Sequence, residues 1–304
     1  MVLSKNKKMN PEIQHTTKYT FSGHESFQCR NLWLKKGYDF VIKGKSFNDE
    51  DAVVELGVGK NMVSSIRYWM RAFNLLTTSD ELTKLAHKLL SDDGYDPYLE
   101  DEGTLWLLHY ELVRKGFASS YSIVFNELRR EKIEFTCTNF VNFVRRKSED
   151  EKSFVVNEKT VADDFAVLIK MYLRSESTNK DKEDTFSGLL TELDLVKSFK
   201  KDKEKEEFFV IENTNRAEIP DEIILYAIID NEEFESSFNL NTIEQNSNSI
   251  VSIFAINRPG LYEKIENLTK KYSYLVLNDH AGIKELQFKV KPTSESVLKA
   301  YYAS

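Results

Sequence analysis

Cysteine is almost absent. The 304 residues hold two, Cys29 and Cys137, with no Cys-x-x-Cys spacing. Neither a disulfide framework nor a four-ligand zinc site is therefore expected, and a reducing cytoplasm is the simpler setting. No apolar run approaches the roughly 18 residues needed to span a bilayer. The first residues, MVLSKNKKMNPEIQH, have no apolar core behind their lysines, so no signal peptide is expected. Also missing are the phosphate loop GxxxxGK[ST], the dinucleotide fingerprint GxGxxG, HExxH and GxSxG. The fragment GVGK at 57–60 is too short for a nucleotide loop. An NTPase is thereby disfavoured, and any catalysis would rest on scattered carboxylates, His or Tyr. No organic cofactor is indicated.

What is present suffices for a folded protein, with 41% apolar residues and 12% aromatics, and the length allows two domains or three small ones. The net charge of −7 is unevenly spread. Residues 1–147 carry 22 Lys and Arg against 19 Asp and Glu, a balance of +3; the rest carry 20 against 30, a balance of −10. An acidic chain can still bind nucleic acid where positive charge is local.

Residues 52–73, AVVELGVGKNMVSSIRYWMRAF, read as a helix-turn-helix. Ala52 is small enough for close helix packing, Gly57 suits the reversal, and Val58 plugs the core behind it. Asn48 is placed to cap the first helix, from Asp49 to Leu56. The second runs from near Lys60 to near Asn74, with Met62, Ile66, Trp69, Met70 and Phe73 on one apolar face. Lys60, Asn61, Ser64, Ser65, Arg67, Tyr68 and Arg71 lie on or beside the opposite face. Short donors near the helix start would approach base edges, and Arg and Lys would meet phosphates. An ordinary helical hairpin with a solvated polar face would read the same way.

Upstream, a helix is expected from near Arg30 to Ile42. Downstream, NLLTTSDELTKLAHKLL supplies a short strand and a helix capped near Ser79, extending the motif to a winged helix. Helices are then expected around Leu105–Val113, twice within 121–147, over TVADDFAVLIKMYL and over TFSGLLTELDLVKSF. SEDEKS is the best linker candidate and SESTNKDKED a polar connector. KKDKEKEE before the strand-like FFVIEN would make a Lys-rich second wing or a solvated loop. PDEIILYAIID reads as a helix opening at Pro220. SIVSIFAINRPGLYEKIENLTKKY reads as two helices split by Pro259-Gly260. YSYLVLND and KELQFKV read as a hairpin through His280-Ala281-Gly282. The expected fold is mainly α with small β elements (α+β). It comprises a flexible arm at 1–17, a winged helix-turn-helix domain at 18–118, a helical connector at 119–175 and a C-terminal α+β domain at 176–304.

Two constellations could carry chemistry. In FSGHESFQCR, His24 beside Glu25 would make an acid–base pair or half a metal site, or simply a structured turn. In DDGYDPYLEDE, the carboxylates Asp93, Asp96, Glu100 and Asp101 would hold Mg²⁺ or Mn²⁺ for phosphodiester cleavage, since hard oxygens suit hard cations. Their spacing matches no calcium loop, and acids opening a helix also complement its dipole. His109, on an apolar stretch, reads as a core residue.

Several blocks together carry a family resemblance: FSGHESFQCRNLWLKKGYDF, VELGVGKNMVSSIRYWMRAF, DGYDPYLEDEGTLWLLH, DTFSGLLTELDLV, and at the tail IFAINRPGLYEKI and HAGIKELQF. From about Tyr19 to Phe288 the chain resembles the SspB-like family of bacterial single-stranded DNA phosphorothioation systems, which defend against phage. The resemblance implies a DNA-binding subunit, with nicking activity, working beside a cysteine desulfurase, an ATPase and a sulfurtransferase that places sulfur in the DNA backbone. It implies no particular catalytic residue. The alternatives are a non-catalytic adaptor of the same complex, or a winged-helix transcriptional regulator whose acidic half senses a ligand or dimerises.

Overall fold

The computed structural model describes residues 19–152, 154–155, 157–174, 187–231, 234–245, 248–280 and 282–304. The arm at 1–17 and the connector SESTNKDKED lie outside them. In chain order the helices are α1 (Trp33–Ile42), α2 (Ala52–Leu56), α3 (Lys60–Ala72), α4 (Lys84–Leu90), α5 (Glu102–Lys115), α6 (Ser119–Ile123) and α7 (Arg129–Glu131). They continue with α8 (Cys137–Glu151), α9 (Glu158–Tyr172), α10 (Asp221–Asp230), α11 (Leu240–Gln245), α12 (Ile250–Phe254), α13 (Arg258–Lys271) and α14 (Ser294–Tyr302). A π-helical turn, Val124–Leu128, joins α6 to α7. The strands β1 (Glu134–Phe135), β2 (Lys197–Lys200) and β3 (Glu207–Val210) form one antiparallel sheet in the order β1-β3-β2. Strands β4 (Ser237–Asn239), β5 (Leu275–His280) and β6 (Ile283–Phe288) form a second, in the order β4-β6-β5. This is an α+β fold.

Helix α5 runs through the core. From Gly103 to Val113 every residue is buried, as expected of a helix with no polar stripe. It packs on α3, α6, α10 and α12. Most of its polar side chains are matched, because an unpaired polar group here would cost about 1–3 kcal/mol; the Trp106 indole N–H is buried without a partner among the described residues. The Thr104 hydroxyl lies 2.7 Å from the Tyr302 hydroxyl. Glu111 accepts from the Tyr226 hydroxyl at 2.6 Å and the Asn74 amide at 2.9 Å. His109 Nε2 donates to the Ile253 carbonyl at 2.7 Å, so Nδ1 accepts from the Tyr172 hydroxyl at 2.8 Å. Burial, and then the charges of Arg216 and Arg129, push His109 down to about 3, which keeps it neutral.

Several local expectations are corrected. Asn48 caps nothing; its side-chain oxygen accepts from Arg67 Nη1 at 3.1 Å, and α2 has no side-chain cap. The helix after α3 is capped by Thr83 rather than Ser79, its oxygen accepting from the Ala86 N–H. The expected strand reduces to one antiparallel bridge, Leu76 to Leu82. Linker candidate SEDEKS lies largely within α8, whose capping box at Thr136 and Asn139 starts a helix long enough to absorb it. TFSGLLTELDLVKSF is not a helix: its described part is a bridge at Gly188, a 3-10 turn and β2. Pairing Ser198 with Phe209 and Phe199 with Phe208 across the hairpin outweighs its helical period. Pro259-Gly260 does not split a helix but occupies the first turn of α13, where a proline needs no donor.

Candidate nucleic-acid interface

The α2–α3 turn is built by its glycines. Gly57 ends α2 at φ 64°, the left-handed region that costs most residues about 1 kcal/mol or more. Gly59 is extended, and its carbonyl accepts from the Met62 and Val63 N–H groups. No side chain caps α3, so its first turn keeps its positive dipole end and free N–H donors toward solvent. Lys60, Asn61 and Ser64 are exposed there. Lys36, which sequence reasoning missed, adds an exposed cation at the end of α2, its Nζ 3.4 Å from the Leu56 carbonyl. Nothing local in the sequence marks it; only the packing of α1 on α2 brings it there.

The stripe continues through Arg67 and Arg71, but both are tied down. Arg67 Nε donates to Asp80 Oδ1 at 3.0 Å and its Nη2 to Asp80 Oδ2. Arg71 Nη2 donates to Asp80 Oδ1 at 2.7 Å and to the Thr78 carbonyl at 3.0 Å. One carboxylate thus offsets one of two guanidinium charges and fixes both. Asp80 was also missed, as a residue of the loop beyond the helix.

Ser65 and Tyr68 are corrections. They stand 0% and 6% exposed, so neither reaches an outward face. Tyr68 packs edge-on against His24, with ring centroids 5.6 Å apart, and against Phe117 at 5.3 Å. An aromatic ring at position 68 buries better than it solvates, and it drags Ser65, one turn earlier, inward with it.

His24 is likewise inside, at 4% exposure. Its Nδ1 accepts from the Ser26 N–H at 3.1 Å, so Nε2 carries the proton and donates to Asp164 Oδ1 at 2.6 Å. Asp164, from α9, also accepts from the Ser22 N–H at 2.6 Å and the Ser120 hydroxyl at 2.7 Å. The imidazole stacks on Trp69, on the inner side of α3. A Cβ at Gly23 would stand 2.9 Å from the Tyr68 ring. Ser22, Gly23, Glu25 and Ser26 all have positive φ, strain that these bonds offset. With both ring nitrogens bonded and Glu25 exposed, His24 pairs with Asp164 rather than Glu25, and FSGHES forms a pin beneath α3. Asp164 and Ser120 had no signal beyond being polar residues in apolar helices.

The acidic run disperses. Asp96 is buried and accepts from the Glu100 and Asp101 N–H groups, both at 3.0 Å. Asp101 caps α5, accepting from the Thr104 N–H at 3.0 Å and the Tyr301 hydroxyl at 2.8 Å. Asp93 accepts from the Ser91 hydroxyl at 3.0 Å, and Glu100 is exposed. Among the described residues no three His, Cys, Asp or Glu gather as metal ligands. The expected Mg²⁺ or Mn²⁺ cluster at Asp93, Asp96, Glu100 and Asp101 does not fit: Asp96 and Asp101 are spent on backbone N–H donors and Asp93 accepts from the Ser91 hydroxyl. No described helix is long and apolar enough to cross a membrane.

Residues 21–302 match the family described as "Protein of unknown function (DUF4007)", and the chain belongs to that family. Its architecture is similar to that of SspB. A crystal structure of SspB is 29% identical, covering 93% of this chain and 88% of that one, with a TM-score of 0.82. A magnesium-ion-bound crystal structure of SspB has the same identity and coverage, with a TM-score of 0.81. No protein of curated function matches the sequence.

Proposed function

We propose that this protein is the DNA-binding subunit of a bacterial DNA phosphorothioation and phage-defence system, and that it grips DNA through the exposed start of α3. The likeness to SspB along nearly the whole chain carries the reading. The local chemistry supports it: an uncapped helix start, Lys36 and Lys60 for phosphates, and Asn61 and Ser64 short enough to approach base edges. The winged-helix reading has two supports. One is α1 to α3 with the Leu76–Leu82 bridge. The other is the segment from α6 to β3, which runs helix, strand, two helices and a two-stranded hairpin. The tip of that hairpin, Lys200 to Glu207, carries four lysines and four acids, so it is no basic wing. The acidic half, repelled by phosphate, would face the desulfurase, ATPase and sulfurtransferase.

The decisive experiment is fluorescence anisotropy with short duplex and single strands over a salt series. Lys60→Ala should weaken binding to all sequences and shrink the log–log salt slope by about one unit. Asn61→Ala should instead alter sequence preference. Unchanged affinity in a Lys60, Asn61 and Ser64 triple alanine variant would move the interface elsewhere.

Nicking, which the family resemblance attributes to such a subunit, would open a phosphate for sulfur insertion. The dispersal of the acidic run favours a second reading, an adaptor that positions DNA for partner enzymes. Supercoiled plasmid incubated with the protein and Mg²⁺ or Mn²⁺ separates the two, since open circles mean a nickase. Loss of those circles in Asp93→Ala or Glu100→Ala would restore the carboxylate site rejected above.

A further inference from the structure

Arg129 and Arg130 leave the π-helical turn together, at the start of α7. They line a pocket of about 360 Å³ with Ser252, Asn213 and Glu212, rimmed by Ile133 and Ile211. The volume sits at the lower end of the range for small-ligand pockets. Arg129 Nη1 donates to the Ser252 carbonyl at 2.9 Å, and Nη2 donates to the Ile211 carbonyl at 3.2 Å and to Asn213 Oδ1. All three acceptors are neutral, and Arg129 makes no ion pair among the described residues. Burial, followed by repulsion from Arg216 and Arg130, lowers its pKa to about 10. Arg130 Nη2 donates to the Ser252 hydroxyl at 2.8 Å. Glu212 is the acid on the wall, and its carboxylate is taken by Lys197 at 3.0 Å. Arg216, behind the pocket, has Glu218 at 3.3 Å. The result is a half-enclosed positive field in which Arg129, among the described residues, meets only neutral acceptors.

We propose that this pocket is an oxyanion site taking one phosphate group, bound by the Arg129 and Arg130 guanidiniums and oriented by Ser252 and Asn213. Guanidinium suits this task because it stays charged and carries five N–H donors, so those not given to Ser252, Ile211 and Asn213 can meet phosphate oxygens, and an anion there would relieve the repulsion between the arginines. Two sources share the chemistry: free phosphate, and a backbone phosphate of a nucleic-acid strand. The second rests on the DNA-binding reading above; the first does not. The pocket belongs to α7, the segment after β3 and α12, so it adds to the α3 surface.

The test uses the full chain and two variants, Arg130→Gln at the exposed mouth and Arg129→Met deeper in, with thermal melts to confirm folding. Inorganic phosphate is titrated by calorimetry in chloride buffer, and DNA anisotropy is followed over a salt series. Saturable phosphate binding, weakened at least about tenfold in Arg130→Gln, supports the site. A salt slope about one unit smaller in Arg130→Gln, additive with Lys60→Ala, identifies the source as DNA backbone. Phosphate binding without any DNA affinity identifies free phosphate: the DNA-binding reading then fails and the pocket stands. No saturable phosphate binding, together with a salt slope lowered by Lys60→Ala but not by Arg130→Gln, overturns the pocket and leaves that reading intact.

Discussion

Removing Asp164 should unlock α3 from behind. Its carboxylate receives the Ser22 N–H, the His24 Nε2–H and the Ser120 hydroxyl, and it is 4% exposed. Asp164→Ala would strand the His24 and Ser120 donors in a buried site and take the acceptor from the Ser22 N–H, where the bond is half-buried. A hydrogen bond to a charged acceptor contributes about 1.5–3 kcal/mol, but three sharing one carboxylate do not add fully. The loss should be about 3–5 kcal/mol, similar to breaking a buried pair. At about 2–4 °C per kcal/mol for chains of this size, the melting temperature should fall on the order of 10 °C. Differential scanning fluorimetry reads this directly, and Asp164→Asn, keeping one oxygen acceptor, should fall between. His24→Ala should also lower the melting temperature, with DNA affinity weakened because Trp69 loses its stacking partner. If Asp164→Ala melts within about 2 °C of wild type, the pin contributes too little to position α3, well below the mechanism's expected cost. If His24→Ala instead abolishes nicking at unchanged stability, His24 belongs to chemistry after all.

His109 gives a pH prediction. Its pKa in the folded chain is lowered to about 3 from an ordinary 6.5, so the unfolded chain takes up its proton first as pH falls. Its share of stability is complete above pH 6.5 and lost toward pH 3, at about 1.4 kcal/mol per pH unit. Urea denaturation at pH 7.5 and 5 should show a loss of about 2 kcal/mol that His109→Gln abolishes; an equal loss in both proteins would refute it. Asp80→Asn should release Arg67 and Arg71 and steepen the salt slope for DNA by about one unit. An unchanged slope would show that neither arginine meets phosphate.

Where apolar period and cap chemistry agree, the sequence locates elements well: α3, α5, α9 and the β5–β6 hairpin stand where periodicity puts them. It fails where long-range pairing overrides local preference, as at β2, whose partner β3 is an independent strand across a charged turn. Individual side chains are harder. Period alone sets Ser65 and Tyr68 beside the polar stripe, yet the facing surface is the FSGHES segment, and only its fold shows that Tyr68 is inside. Lys36, Asp80 and Arg129 act through neighbours distant in sequence, so nothing adjacent marks them.

The blocks that resemble the family are largely explained by packing. Ser22, Gly23 and His24 meet Asp164; Asp96 and Asp101 hold the start of α5; Gly188 bridges to Arg30, and the Leu189 N–H donates to the Cys29 carbonyl. Three segments far apart in sequence thereby converge behind α3. A scaffold this specific has one evident consequence: it holds Trp69 and Tyr68 fixed, so the opposite side of the same helix is fixed too. Lys60, Asn61 and Ser64 gain nothing from that packing, being exposed. Rigid presentation of an otherwise idle polar stripe lowers the ordering cost of binding, since fewer rotamers and no backbone freedom are lost on contact. By this logic, loosening the pin should weaken DNA binding even with every interface side chain intact. Restoring the melting temperature of His24→Ala by an unrelated stabilising substitution should then fail to restore affinity. Full recovery of affinity by such a substitution would show that the pin serves stability alone.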